Sequence, residues 1–285
     1  MRAIGLSEFS GENEIDRLVL DMLENSEVRN VLHRTGKNTL MEYIRDMGSG
    51  LGVSLRVTLG EANEVVSSAV LPYLIANTPP STYIDIEVDE ADGGGFVAVG
   101  EEASSGNEIV FSVQNPLGFT DRALYIDESA IKVAGISTSG KVILPVERDQ
   151  EQEEQREEEE RCHVELLRRA RSGDVAAMED LEELEEAAGD TIRERLMEED
   201  FLTVVEGFLM PAEDNEHFAS ILGDIRLVER IQNADTEEEL VLLSLNVTGS
   251  VIQVCISPND LEGMPTQGMR FLGTCWLQGW IEKNE

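Results

Sequence analysis

Basic residues are scarce in this 285-residue chain: 22 Lys and Arg stand against 58 Asp and Glu, a formal net charge of −36. A field of that sign repels phosphate backbones and anionic lipid headgroups, so neither nucleic acid nor a membrane surface is an expected partner. Long apolar runs are missing as well. No stretch reaches the roughly 18 residues of a membrane-spanning helix, and the opening MRAIGLSEFS has no apolar block behind Arg2 of the kind a signal peptide carries. We therefore expect a cytoplasmic protein. Cysteine is limited to Cys162, Cys255 and Cys275, an odd number without paired spacing, which fits reduced thiols better than a disulfide framework. The histidines are His33, His163 and His217, and none stands at a metal-ligand spacing from a cysteine or acid. There is no G-x-S-x-G elbow and no P-loop. No catalytic constellation, cofactor or metal is expected.

Three motifs come close to chemistry and fall short. GSGLGV (Gly48–Val53) precedes a strand pattern, whereas phosphate loops follow a strand and open a helix, so it reads as a turn. DEADGGGF and NADTEEEL hint at calcium but lack the alternating ligands, central Gly and closing Glu of an EF-hand loop. Asn233, Asp235 and Glu237 alternate between two strand patterns and read as a polar hairpin loop.

What is present is a regular alternation of short elements. NEIDRLVLDMLENS sets Ile15, Leu18, Val19, Met22 and Leu23 on one helical face. A second helix is expected over Thr39–Asp46, with Leu40, Tyr43 and Ile44 inward. Strand patterns follow at GVSLRVTLG, VVSSAVLPYLI, TYIDIEV, GFVAVGE and EIVFSVQN, and ISTSGKVILPV reads as a turn and a last strand at Lys141–Val146. Residues 1–146 thus form an expected α+β domain built on an antiparallel sheet.

Residues 147–199 are an acidic connector. No apolar residue occurs between Val146 and Cys162, so the run ERDQEQEEQREEEER cannot bury itself. It reads as a linker that becomes the frayed start of a helix ending near Ser172; an acidic docking element is the alternative. Gly173 then breaks the chain and Asp174 caps a helix carrying Val175, Met178, Leu181, Leu184 and Ala188. Gly189 and Asp190 repeat the signal before Ile192, Leu196 and Met197.

Residues 200–285 give five strand patterns, FLTVVEGFLM, ASILGDIRLVERI, ELVLLSLNV, SVIQVCIS and RFLGTCWLQGWI, with a hairpin signal at NVTGSV and room for one helical turn in SPNDLEGMPTQG. They suggest a small closed β-barrel of the OB type. Trp276 and Trp280 share one strand face with Leu272 and are expected in the barrel interior; an interaction surface is the other use for them. The four bases of this segment, Arg226, Arg230, Arg270 and Lys283, are outnumbered by its acids, against a groove for single strands.

In order, GISTSGKVILPV, RRARSGDVAAMEDL, FLTVVEGFLMP, SILGDI and FLGTCWLQGWI resemble an uncharacterised family of clostridial-type bacteria catalogued only as a domain of unknown function, and RAIGLS is similar to its N-terminal motif. The resemblance spans nearly the whole chain. It implies a cytoplasmic bacterial protein and brings neither an activity nor site residues. The expected architecture is α+β: an N-terminal sheet domain, a helical connector and a C-terminal OB-like barrel. The expected function is non-enzymatic, an interaction or adaptor protein with protein partners; the alternative is an enzyme or small-ligand binder with its site between the two domains.

Overall fold

The structure, a computed structural model, describes residues 1–9, 11–25, 28–33, 39–62, 64–91, 95–115, 124–146, 150–212 and 215–282. After a 3-10 turn at Arg2–Ile4 come helix α1 (Glu12–Asn25) and strands β1 (Val28–His33), β2 (Thr39–Asp46), β3 (Leu51–Leu59) and β4 (Val65–Leu74), an antiparallel meander. Next are β5 (Ser81–Ala91), β6 (Gly95–Glu102), β7 (Glu108–Val113) and the long β8 (Leu124–Ile143). Helices α2 (Gln150–Arg171), α3 (Val175–Arg195) and one-turn α4 (Phe201–Val204) lead to β9 (Phe208–Ala212), β10 (Asn215–Gln232), β11 (Glu239–Val247), β12 (Ser250–Ile256), β13 (Leu261–Glu262) and β14 (Arg270–Ile281). The protein is mixed α+β, with more strand than helix.

Thr39–Asp46 is a strand, not the expected helix. Its apolar residues at 40, 41, 43 and 44 suit either period, and cross-strand pairing decides: all eight residues pair with β3, from Thr39 opposite Leu59 to Asp46 opposite Gly52. Glu42, buried on the inner side, is held by Arg56 Nε at 3.1 Å and accepts from Ser54 Oγ at 2.8 Å. That pair leaves no uncompensated charge in the sheet.

Two further expectations fail on strand length. β8 runs unbroken for 20 residues through the expected turn at ISTSG. It pairs with β14 along Ile131–Ile143, while its other edge takes β5 and then β12. The pairings therefore run in two circuits that share the β8–β14 ribbon. One is β8–β12–β11–β10–β14, and the other is β8–β5–β6–β7–β14. An OB-like barrel made of residues 200–285 alone is not seen, because the first circuit needs β8 from the earlier segment. The expected boundaries near Val146 and Glu199 coincide with passages from strand to helix and back. Residues on both sides of them nevertheless share one sheet and one core.

That core lies on the face of the ribbon carrying Ile131, Val133, Phe271, Cys275, Leu277 and Ile281. Gly140 and Gly273 stand opposite each other beneath the Phe271 ring, where an added Cβ at either would come within 2.5 Å of it. Only hydrogen side chains leave room for that ring. The other face of the ribbon, with Ala134, Ile136 and Trp276, carries a second core formed with Ile4, Leu18, Met22, Val53, Leu55 and Leu74. Trp276 and Trp280 are thus not in the ring interior. Their face meets the β1–β4 layer, both are half-buried, and Phe271 and Leu277 supply the bulk inside. The expectation failed because it assigned the interior by side-chain size on one strand. Here both faces of that strand are covered.

Candidate functional site

Helices α2 and α3 form an antiparallel arm between β8 and β9. Gly173, at φ +88°, makes the reversal, and the Asp174 carboxylate accepts from the N–H of Ala177 at 3.3 Å and binds Arg169 at 2.6 Å. Arg169 holds the Asp174 carboxyl below its ordinary range. Leu166, Ala170, Ala177, Leu181 and Leu184 pack at this end of the arm. The expected break at Gly189 and cap at Asp190 are absent: α3 continues to Arg195, with Thr191 Oγ1 donating to the Ala187 carbonyl at 2.9 Å. An interior glycine costs only about 1 kcal/mol in a helix, and the flanking helix formers outweigh it. The acidic run is likewise helical from Gln150; Glu147 to Asp149 lie outside the described residues.

The arm is tied to the sheets at its hinge end. Arg171 donates to the Ala103 carbonyl and pairs with Glu101, and Leu167 lies over Gly106. The turn beneath is held by its own hydrogen bonds. Buried Glu102 accepts from the N–H groups of Ser104 and Ser105, at 3.2 and 2.7 Å. Asn107 Nδ2 donates to Thr248 O at 2.9 Å and to Ser250 Oγ at 3.0 Å, and Ser105 Oγ meets Ser250 Oγ at 2.9 Å. These bonds latch the β6–β7 turn to the β11–β12 turn, where Thr248 and Gly249 have positive φ as NVTGSV predicts.

Beyond that attachment the arm diverges from the sheets and leaves a cleft of about 740 Å³. One wall is a face of α3, with Leu184, Ala188, Thr191, Ile192 and Arg195. Gln155, Arg156 and Glu159 of α2 flank it, and Val204, Val205, Glu206, Asp224, Asn246 and Thr248 form the far side. The α3 face is apolar yet uncovered, with Ile192 41% exposed. Arg195 bonds Glu199 twice, each at 2.9 Å; this raises the guanidinium pKa and lowers that of the carboxyl. A smaller apolar cavity of about 130 Å³ lies where β7 diverges from β14, lined by Val110, Phe111, Leu209, Phe218 and Leu277. Neither volume holds a recognisable catalytic pair.

The sequence-derived candidates fall elsewhere. Trp276 Nε1 donates to Ser112 Oγ at 2.8 Å, and neither Trp276 nor Trp280 lines the cleft. Cys162 is exposed, whereas Cys255 and Cys275 are buried. His163 is half-buried on α2; the side chains of His33 and His217, and Gly93 and Gly94 of the GGG run, lie outside the described residues. Asn233 Oδ1 accepts from the N–H groups of Asp235 and Thr236, and Asp235 pairs with Arg45 at 2.7 Å, so the loop satisfies itself. Among the described residues no group of His, Cys, Asp and Glu converges on a metal-sized site, and no helix is long and apolar enough to cross a membrane. The cleft residues were missed as a site. Leu184, Ala188 and Ile192 carry the right spacing, but a stripe does not say whether it is covered.

One family profile, described as "Domain of unknown function, E. rectale Gene description (DUF3881)", matches residues 1–279. The chain belongs to the DUF3881 family. The DUF3881 match takes in α1, both strand circuits and the arm, so cleft and attachment lie within the family unit. No curated protein and no solved structure matches the chain.

Proposed function

We propose that this DUF3881 member is a non-enzymatic, cytoplasmic interaction protein that docks a partner protein in the cleft between the α2–α3 arm and the strand circuits. The observation that carries this reading is the α3 face of half-buried Leu184 and exposed Ala188 and Ile192, opposite Val204 and Val205. Uncovered apolar surface rimmed by polar groups is characteristic of protein contact. In this reading the β8–β12–β11–β10–β14 circuit is an OB-like mount, and the latched turns fix where the arm begins.

A small-ligand or enzyme site in the same cleft is the second reading. It is favoured by Arg156 and Arg195 among the lining residues. It is disfavoured by the openness of the cleft. The test is affinity capture with the full chain and an Ala188→Arg variant, which fills the cleft from an exposed position. Docking predicts a protein captured by the parent chain and lost by the variant at unchanged thermal unfolding. A retained protein, or a small molecule co-purifying in its place, overturns the proposal.

A further inference from the structure

Resting on the reading of the cleft as a docking site, we propose that its occupant is a basic amphipathic segment of the partner: apolar side chains against Leu184, Ala188 and Ile192, and Lys or Arg side chains toward Glu159, Glu206 and Asp224. The apolar half follows from spacing. Those three α3 residues recur at every fourth position, so they form one ridge, and the stretch from Leu184 to Arg195 is ~18 Å long at a helical rise of about 1.5 Å per residue. A segment of three helical turns covers it, in the manner of an amphipathic helix laid into a groove.

The basic half follows from charge. Helices α2 and α3 carry sixteen acids and seven bases, a net of −9, within a chain of net −36. The lining has two cations, Arg156 and Arg195. Arg195 spends its fork on Glu199, at 2.9 Å for each bond, with Glu206 close enough to raise its pKa further. Arg156 has interactions of its own, although its buried Nε meets no hydrogen-bond partner among the described residues. On the far wall, Asp224 meets Arg226 only at 4.0 Å, and its side chain is 29% exposed. An anionic occupant would enter against this field. A cationic one enters with it and gains a contact at the partly exposed Asp224.

The test uses two fluorescein-labelled peptides of about twelve residues, one built of Lys and Leu at helical spacing and one of Glu and Leu, titrated with the full chain and followed by anisotropy. The Lys/Leu peptide should bind, more weakly as salt rises, and the Glu/Leu peptide should not. Joint Glu206→Lys and Asp224→Lys replacement should weaken the Lys/Leu peptide about tenfold, while Asp89→Lys, on exposed β5 outside the cleft, should weaken it less than about twofold. Equal losses in both variants, or tight binding of the Glu/Leu peptide, overturn the basic-segment proposal. A partner whose capture is abolished by Ala188→Arg but untouched by the charge reversals also overturns it, while leaving docking intact. If Ala188→Arg changes neither capture nor peptide binding, the docking reading itself falls.

Discussion

Gly5 and Asn233 tie the N-terminal turn to the β10–β11 loop. Asn233 Nδ2 donates to the Ile4 carbonyl at 2.8 Å, and Thr236 Oγ1 donates to the Gly5 carbonyl at 2.6 Å. Gly5 has φ +76°, and an added Cβ would stand 2.8 Å from Asn233 Cβ. Gly5→Ala should therefore cost about 1–3 kcal/mol, measured as a lower denaturant midpoint at unchanged slope. Chemistry at the cysteines follows from burial, which pushes the thiols of Cys255 and Cys275 up to about 12. Ellman's reagent on the native protein should find the exposed Cys162 thiol and reach the other two only on denaturation. The linkage sign is fixed by the same shift. An unfolded thiol ionises near pH 8.5, so the stability from keeping both thiols neutral is complete below about that pH. It falls as pH rises toward about 12. Denaturant midpoints at about pH 7 and about pH 10 should show this fall, and a Cys255→Ala, Cys275→Ala chain should show less of it. Strand alternation, with the tryptophan face as the interior, sets Cys275 on the outer face, whereas it is buried because both faces of β14 are covered. The sequence could not reveal the task of Asn233, whose partner carbonyl lies 229 positions away.

At the level of elements, local signals were read well where a short-range device decides the outcome. The Gly173–Asp174 reversal, the β11–β12 turn and the 3-10 turn at Pro258–Asp260 are of this kind, as is the α1 face that buries Leu18 and Met22. The signals failed where distant pairing decides, and also at Gly189–Asp190, where the flanking helix formers carry α3 through. Thr39–Asp46 carries a pattern of either period, and β3 chose for it. The arm is attached through few groups, so Arg171→Ala should loosen it. Hydrogen exchange should then quicken in α2 and α3 and stay unchanged in β8 and β14. A uniform change across the chain would instead mean that the arm is integral to the cores. Asp174→Ala removes the cap and the Arg169 pair and should lower arm stability by about 1 kcal/mol.

For the whole molecule, composition was legible and connectivity was not. The charge of −36 predicts no binding of single-stranded DNA at physiological salt; a gel shift at micromolar protein is the check. That residues 200–285 depend on β8 could not be read from strand patterns, because a strand does not name its partner. The expectation that follows is sharp. A fragment of residues 200–285 should lack a cooperative transition, while a chain with residues 150–195 replaced by a short Gly/Ser linker should keep one, each followed by circular dichroism on heating. The shared ribbon also governs what happens on the ribosome. A nascent chain emerges from its N-terminus, so β8 waits with the edge meant for β14 unpaired until Arg270–Ile281 has left the exit tunnel, and both rings stay open until then. Any message truncated before that strand therefore yields a product with two unsealed sheets, a species for proteases and holding chaperones to intercept and not a shorter working protein.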